Sequence, residues 1–205
     1  MGSRSLLVET IRNNIGSFEH QEAKPNKTTR QAAVAIIVRE INSQLEMLFI
    51  KRAEKEGDPW SGHMAFPGGH REPDDLGLRE AAERETLEEI GLDLSRGDYL
   101  GAIDHQSAQP RGRTLNMLIA PHVFEIFDVV EFSTNYEVDE VVWAPVEDLL
   151  SNKLHDTETL PMAGTPTIFN GYRLSGGHFV WGLTYRILKS FFEIIDPSWS
   201  GPREL

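Results

Sequence analysis

The amino-acid sequence predicts an α/β protein in which a mixed β-sheet is sandwiched between layers of helices. Apolar runs at residues 32–38 and 45–51, each bounded by polar turns, are typical of strands that are covered on both faces. Helical periodicity at residues 76–90 and 180–194 provides elements long enough to cover such a sheet. A buried sheet combined with such helices indicates an α/β/α sandwich.

A short amphipathic helix is expected at the start of the chain. Apolar residues recur at helical spacing from residue 6 to the neighbourhood of Gly16. The polar residues 17–29 then predict a linker that wraps onto the rest of the protein. We therefore divide the chain into an N-terminal helix and linker, residues 1–30, and a main domain, residues 31–200.

The later elements follow from turn residues and apolar runs. Asn42 and Ser43 turn the first strand into the second, and residues 54–61 form a loop. The acidic segment 72–75 supplies a cap and first-turn charge for the helix at residues 76–90, which Gly91 is expected to end. The remaining predicted elements are strands at 99–103, 115–126 and 138–143, a short helix at 145–150, an irregular loop at 152–166 and a closing helix at 180–194.

Glu85, Glu88 and Glu89 place three carboxylates on one face of the predicted helix. Their spacing of i, i+3 and i+4 confines them to an arc of about 100°. A row of glutamates is usually a solvated surface, and like charges at this spacing destabilise a helix. Here the carboxylates share their face with Leu78 and Ala82, which predicts that they point toward the protein. Inward carboxylates need a partner, and oxygen ligands favour Mg²⁺ or Mn²⁺ over Zn²⁺.

The stretch that begins at Gly69 resembles the signature of the Nudix hydrolases. The matching residues are Gly69, Arg84, Glu85, Glu88, Glu89, Gly91 and Leu92. The interval from Gly69 to Arg84 is one residue longer than in the signature, and Thr86 stands where an apolar residue is usual. The first acidic position of the signature then falls on Asp74 or Asp75.

This resemblance implies a Nudix-type α/β/α sandwich that hydrolyses a diphosphate linkage in a nucleoside diphosphate derivative. The implied cofactor is Mg²⁺, with Mn²⁺ as a substitute, bound by Glu85, Glu88 and Glu89. The glycine turn would let the carbonyl of Gly69 approach the same ion. Arg84, at i,i+4 to Glu88, is expected to orient a ligand carboxylate, so that Arg84 and the three glutamates form the predicted catalytic set.

Within the Nudix hydrolases, the chain is similar to the coenzyme A pyrophosphatase-like branch. The matching segments are Phe66-Pro67-Gly68-Gly69 and residues 30–36, 140–145 and 181–184. That branch carries a basic residue ahead of the position of Gly62, where this chain has Asp58. Coenzyme A or a derivative is the first expectation for the substrate. The alternatives are ADP-ribose, a dinucleotide, a nucleoside triphosphate, or a Nudix-fold module that binds a ligand without turnover.

The sequence leaves the general base open. A glutamate of the acidic helix is one candidate, and Glu137 or Glu140 from a later segment is another. His63 and His105 are weaker candidates, because a lone histidine is more often structural or exposed.

Five residues are candidates for contact with the substrate. Arg52, Arg111 and Arg113 would hold phosphates, although each could equally be a solvated arginine. Trp60 and Phe66 would stack on an adenine or a pantetheine-like arm, and Phe66 could instead belong to the core.

The composition restricts the partners of the protein. The 205 residues include no cysteine, which excludes disulfides, thiolate nucleophiles and zinc–thiolate sites. A net charge of −12 disfavours binding to nucleic acid or to an anionic membrane. We therefore expect a small-molecule nucleotide as the partner. We also expect a cytoplasmic location without a secretory signal, and the sequence is compatible with a homodimer.

Overall fold

The centre of the molecule is a mixed β-sheet, described by a computed structural model that covers residues 6–57, 60–108, 116–127, 131–162 and 164–204. Its strands are β1 (Arg30–Ile41), β2 (Gln44–Arg52), β3 (Met64–Ala65), β4 (Gly68–His70), β5 (Asp98–Ala102), β6 (Gln106–Ser107), β7 (Met117–Ile126) and β8 (Val138–Pro145). A smaller antiparallel sheet contains β9 (His155–Met162), β10 (Thr165–Arg173) and β11 (Phe179–Trp181). The helices are α1 (Leu6–Ser17), α2 (Leu78–Ile90), α3 (Val146–Leu150) and α4 (Gly182–Ile195).

Strand β1 organises the main sheet because it pairs on both sides. It runs parallel to β7, and it joins β2 in an antiparallel hairpin. Asn42 and Ser43 form the hairpin turn with φ values of 51° and 61°, as a two-residue turn requires for strands with a right-handed twist. Strand β8 lies on the far side of β2, and β5 lies on the far side of β7.

The strands β1 and β2 separate beyond their hairpin, and the segment from Met64 to His70 occupies the gap. Strand β3 pairs with the end of β2, while β4 pairs with the beginning of β1. Between them, the carbonyl of Pro67 accepts a hydrogen bond of 2.8 Å from the backbone N–H of Ala35. This insertion carries Gly68 and Gly69 to the middle of the sheet.

The alternation of β1 divides the core into two layers. Ala33, Ala35 and Ile37 face α2, whereas Ile36 and Val38 face the side that includes α1, α4 and the smaller sheet. Helices therefore cover both faces of the main sheet, and the predicted α/β/α sandwich is confirmed.

Helix α1 contributes to the same core as the sheet. Val8, Ile11 and Ile15 are buried in the layer that contains α4. The side chain of Asn14 also donates a hydrogen bond of 2.8 Å to the carbonyl of Ile195 at the end of α4. The division at residue 30 stays a prediction. None of the helices in the described part of the chain combines the length and apolar character that crossing a bilayer requires.

The predicted irregular loop at residues 152–166 is wrong. Most of this segment belongs to the hairpin of β9 and β10, whose register runs from His155 opposite Tyr172 to Met162 opposite Thr165. Two prolines, a glycine and many polar residues hide the strand pattern in the sequence. The backbone hydrogen bonds between β9 and β10 stabilise these strands, although their composition is typical of a loop.

Two predicted helices begin later than expected. The helix that was predicted from residue 76 begins at Leu78, because Gly77 is its extended N-cap residue and the acidic segment before it has other partners. The closing helix begins at Gly182, since residues 179–181 pair with β10 as a short strand.

Candidate functional site

Helix α2 presents its polar face to the glycine-containing β4 because its apolar face is fixed on the sheet. Ala81, Ala82 and Ile90 are fully buried in the layer that contains the α2-facing residues of β1. Gly91 ends the helix as predicted, with φ at 70° and its N–H bonded to the carbonyl of Leu87. Thr86, which departs from the signature, is buried, and its hydroxyl donates to the carbonyl of Ala82 at 2.7 Å.

The three glutamates of α2 differ in their exposure. Glu89 is only 2% exposed, and its Oε2 accepts a hydrogen bond of 2.8 Å from the N–H of Gly68. The Glu85 side chain is 16% exposed, whereas that of Glu88 is 56% exposed. The expectation that all three point inward holds for Glu85 and Glu89. It is wrong for Glu88, which lies at the solvent edge of the same group.

Gly68 and Gly69 allow the backbone to come close to these carboxylates. A Cβ atom on Gly69 would lie 2.5 Å from Oε1 of Glu85, so only glycine leaves this space open. Gly68 has a φ of 146°, and a Cβ there would lie 2.6 Å from the Cα of Val34 and would also collide with the carbonyl oxygen of Ala33. The double glycine is therefore required both by the sheet and by the carboxylates.

Burial and mutual repulsion raise the pKa of two of the glutamates. Burial raises the pKa of Glu89 to about 8, and the nearby negative charges of Glu85 and Glu137 act in the same direction. The Gly68 N–H and the positive charge of Arg52 oppose this rise. The pKa of Glu85 is also raised, first by burial and further by the charge of Glu88 and Glu137. Without a cation, burial and the neighbouring carboxylates therefore oppose ionisation of Glu85 and Glu89.

Arg84 connects the acidic helix to the loop before it. Its guanidinium donates to both carboxylate oxygens of Asp75, at 3.0 and 3.1 Å, and to the carbonyl of His70 at 2.9 Å. It also contacts Glu85 and Glu88, each at 3.2 Å. The hydrogen bonds from Arg84 to Asp75 hold the pKa of the Asp75 carboxyl below its ordinary value.

Asp75 is the acidic partner that the sequence could not distinguish from its neighbour. It is 5% exposed, whereas Asp74 is exposed. The expectation that the acidic segment caps the helix is wrong for Asp75, because its carboxylate accepts from Arg84 and from the backbone N–H of Glu72. Nine residues separate Asp75 from Arg84, so the helical period gives no signal for this pair.

The segment before β8 brings Glu137 to the site. The backbone N–H groups of Ser133 and Asn135 donate to the carbonyls of Ile90 and Glu89, at 3.0 and 2.9 Å, which fixes this segment to the end of α2. The charge of the half-buried Glu137 contributes to the raised pKa of both Glu85 and Glu89. Of the two later carboxylates, Glu137 is therefore the one beside the acidic helix.

Glu140, His63 and His105, the other candidates for the general base, contact residues outside the acidic helix. Glu140 forms an ion pair of 3.1 Å with His178, and half of its side chain is exposed. His63 lies edge-on to the ring of Trp181, with 4.8 Å between ring centroids. The backbone N–H of His105 donates to the carbonyl of Gln21 in the segment after α1. None of these contacts involves a glutamate of α2.

The five predicted substrate contacts have different outcomes. Arg52 lies close enough to Glu89 for its charge to lower the pKa of that carboxyl. Trp60 is partly buried against the core. The assignment of Phe66 to substrate stacking is wrong, because its ring is 3% exposed and stacks on Phe49 inside the core, with 5.1 Å between centroids. Arg111 and Arg113 lie outside the described residues, as does Asp58.

The donors at this site suit a hard divalent cation, although the side chains do not enclose one as they stand. Within the described ranges, no three Asp, Glu or His side chains converge in a metal-binding arrangement. Glu88 is held by Arg84, and Glu89 by the N–H of Gly68. All the side-chain donors are carboxylate oxygens, and the open space at Gly69 gives the backbone access to Glu85. A cation would also relieve the repulsion that raises the pKa of Glu85 and Glu89.

Comparison with known proteins agrees with this geometry. The sequence model of the Nudix domain family matches residues 29–162 of this chain. An uncharacterised protein of Schizosaccharomyces pombe is 33% identical over 146 residues, which cover 62% of this chain and 44% of the yeast protein. The mitochondrial coenzyme A diphosphatase NUDT8 of Mus musculus is 27% identical over 177 residues, which cover 85% of this chain and 83% of the mouse protein.

A solved structure shows the same fold over nearly the whole chain. The MutT/nudix family protein from Enterococcus faecalis superposes with a TM-score of 0.55 and 17% sequence identity, covering 95% of this chain and 76% of that protein. The Nudix domain model spans more than half of the chain and includes the double glycine and the acidic helix. The chain belongs to the Nudix hydrolase family.

Proposed function

We propose that this protein hydrolyses a diphosphate linkage in a nucleoside diphosphate derivative, with coenzyme A or one of its derivatives as the first candidate substrate. The observation that carries the proposal is the arrangement of Glu85 and Glu89 against Gly68 and Gly69. Two buried or half-buried carboxylates with raised pKa values face a backbone that only glycine permits. Ionisation of both carboxylates at this position would cost stability unless a cation compensates their charge.

The proposed cofactor is Mg²⁺, which Mn²⁺ would replace. Glu85, Glu88, Glu89 and the carbonyl of Gly69 would hold it, since hard cations take oxygen ligands and Nudix hydrolases generally use divalent metals. A cation bound there would supply positive charge that neutralises the diphosphate oxygens and would favour deprotonation of the attacking water. Arg84 is proposed to orient Glu85 and Glu88, because it contacts both carboxylates while Asp75 fixes its guanidinium.

Glu137 is the proposed general base, and Arg52 the proposed phosphate contact. Glu137 lies near Glu85 and Glu89 on a segment that is hydrogen-bonded to the end of α2. Such a carboxylate can accept a proton from water if the scissile phosphate is held beside it. Arg52 provides positive charge next to Glu89, and a guanidinium can bind two phosphate oxygens at once. Arg111, Arg113 and Trp60 remain predicted substrate contacts.

The support for coenzyme A comes from similarity in sequence. The mouse relative is named as a coenzyme A diphosphatase, and this chain covers 83% of its length. ADP-ribose, a dinucleotide and a nucleoside triphosphate are the alternative substrates for the same reaction. The cytoplasmic location stays a prediction, since the name of the mouse relative places that protein in the mitochondrion. The homodimer also stays a prediction.

A panel assay tests both the reaction and the substrate. Purified protein with Mg²⁺ or Mn²⁺ is incubated with coenzyme A, ADP-ribose, diadenosine polyphosphates and nucleoside triphosphates, and the products are separated by chromatography. We expect metal-dependent release of 3′,5′-ADP from coenzyme A, whereas AMP from ADP-ribose would select the alternative. The variant Glu89→Gln is the control and should be inactive on every substrate. Turnover that survives in this variant or in excess chelator would contradict the proposal.

A further inference from the structure

An open cavity of about 600 Å³ lies between the start of β1 and the loop that follows β4. Its lining residues are Thr29, Arg30, Gln31, His70, Arg71, Glu72 and Pro73. His70 links this cavity to the acidic site, because it follows Gly69 directly and its carbonyl accepts the hydrogen bond from Arg84. The volume lies in the range of small-molecule sites.

Two arginines give this cavity a positive character in a protein of net charge −12. In the described part of the chain, the Arg30 guanidinium has no ion pair or hydrogen bond, although its backbone is paired at the start of β1. Arg71 donates to the carbonyl of Asp75 at 3.2 Å and to Oε1 of Gln31 at 3.4 Å, neither of which carries a charge. Glu72 also lines the cavity and is exposed.

We infer that this cavity is an anion subsite, which receives a phosphate ester that the substrate carries away from its scissile diphosphate. The inference rests on the proposed function and adds to it the two specificity residues Arg30 and Arg71. A guanidinium matches the geometry of phosphate oxygens, and in the described residues neither guanidinium forms an ion pair, although the charge of Arg71 acts on the nearby Asp75 carboxyl. The preferred substrates are therefore nucleoside diphosphate derivatives with a further phosphate, in preference to those without one.

Ligand binding tests the subsite without depending on turnover. Titration calorimetry at fixed salt and Mg²⁺ compares adenosine 3′,5′-bisphosphate with AMP on the wild-type protein and on the double variant Arg30→Ala, Arg71→Ala. We expect the wild type to bind the bisphosphate about tenfold more tightly than AMP, and the double variant to lose this difference. Arg203→Ala, an exposed arginine in the segment after α4, removes one positive charge elsewhere and should leave the difference unchanged.

The outcomes separate the subsite from the proposed reaction. Equal affinity of the wild type for both nucleotides, absence of bisphosphate binding, or a preference that persists in the double variant would overturn the subsite. If loss of the Arg71 hydrogen bonds impairs folding, Arg30→Ala alone gives the test, because that side chain has no bonded partner among the described residues. A bisphosphate preference without metal-dependent hydrolysis would retain the subsite and refute the reaction, whereas hydrolysis without the preference would do the reverse.

Discussion

At the scale of single residues, Glu89 illustrates a conflict between stability and the proposed metal site. Its carboxylate is buried beside Glu85, and the N–H of Gly68 and the charge of Arg52 offset only part of the cost of ionisation. The folded protein therefore binds a proton at Glu89 in a pH range where the unfolded chain has already released it. Protonation of Glu89 therefore contributes to the free energy of unfolding. This contribution is fully present below pH 4.5 and is lost as the pH rises to about 8.

The variant Glu89→Gln should be more stable than the wild type in metal-free buffer above pH 4.5. Glutamine keeps an oxygen that can accept from Gly68 and cannot ionise, so the gain should grow to a few kcal/mol by about pH 8. Thermal unfolding of both proteins from pH 4 to pH 8.5 measures the gain. Mg²⁺ should raise the melting temperature of the wild type but not that of the variant. A variant that is less stable at every pH would refute this account of Glu89.

The two neighbouring glycines should respond differently to alanine. In Gly69→Ala the new methyl group meets the end of the Glu85 side chain, which can move, so the fold should survive. Displacement of this carboxylate should weaken metal binding and activity by tenfold or more. In Gly68→Ala the methyl group meets the backbone of β1 at a positive φ, which should cost about 2 kcal/mol or more in unfolding free energy. Denaturant unfolding together with metal titration distinguishes the two results, and equal effects of both substitutions would be inconsistent with the geometry.

At the scale of elements, α2 is fixed at its middle and at its last turn by groups that lie outside it. Arg84 joins its middle to Asp75 and to the carbonyl of His70 in the preceding loop. Its last turn receives the N–H groups of Ser133 and Asn135. Because these contacts come from opposite directions along the chain, the helix is held in position on the sheet while its polar face stays open toward the double glycine.

The substitution Asp75→Asn tests the buried ion pair between Asp75 and Arg84 of α2. It leaves the guanidinium of Arg84 beside a neutral side chain at a position that is 5% exposed, and should lower the unfolding free energy by about 1–3 kcal/mol. Glu83→Gln is the matched control, since the Arg79–Glu83 pair lies on the helix surface and should contribute less than about 0.5 kcal/mol. Urea unfolding at pH 7 gives both values. Equal losses would mean that Asp75 does not hold the helix.

At the scale of the whole molecule, the main sheet carries a buried titratable group between two of its neighbouring strands. His122 of β7 is 8% exposed, and its Nδ1 lies 3.0 Å from the hydroxyl of Tyr99 on β5. Burial lowers the pKa of His122 to about 4, and the positive charges of His105, His20 and Arg79 act in the same direction. Burial and these three positive charges therefore oppose protonation of His122 in the folded protein.

Acidification should unfold the protein partly through His122. In the unfolded chain the imidazole takes a proton near pH 6.5, while in the folded protein it stays neutral down to about pH 4. The unfolded state thus binds more protons in this window, so stability should fall as the pH decreases from 6.5 to 4, by up to about 3 kcal/mol from this residue. Unfolding of His122→Gln over the same pH range should show a shallower slope. His70→Gln, an exposed histidine, serves as the comparison, and equal slopes for all three proteins would exclude His122 as the cause.

The agreement between sequence and structure is best where a feature depends on neighbours along the chain. The turn at Asn42 and Ser43, the end of α2 at Gly91 and the strand pattern of β1 all appear as expected, because backbone conformation and side-chain period set them locally. The hairpin of β9 and β10 was missed, since its stability comes from pairing and its composition resembles a loop. The core position of Phe66 likewise depends on its contact with Phe49, which is distant in the sequence.

The sequence by itself determined that Glu85, Glu88 and Glu89 share one face of a helix that ends at Gly91, because the helical period is a local property, and the resemblance to the Nudix signature joined Gly69 to that helix. Only the tertiary structure decided that Asp75 rather than Asp74 holds Arg84, and that Glu137 rather than Glu140 stands beside the glutamates. The physical reason is that burial and charge–charge distance depend on how α2, β4 and the segment before β8 pack together. No periodicity within one element contains that information.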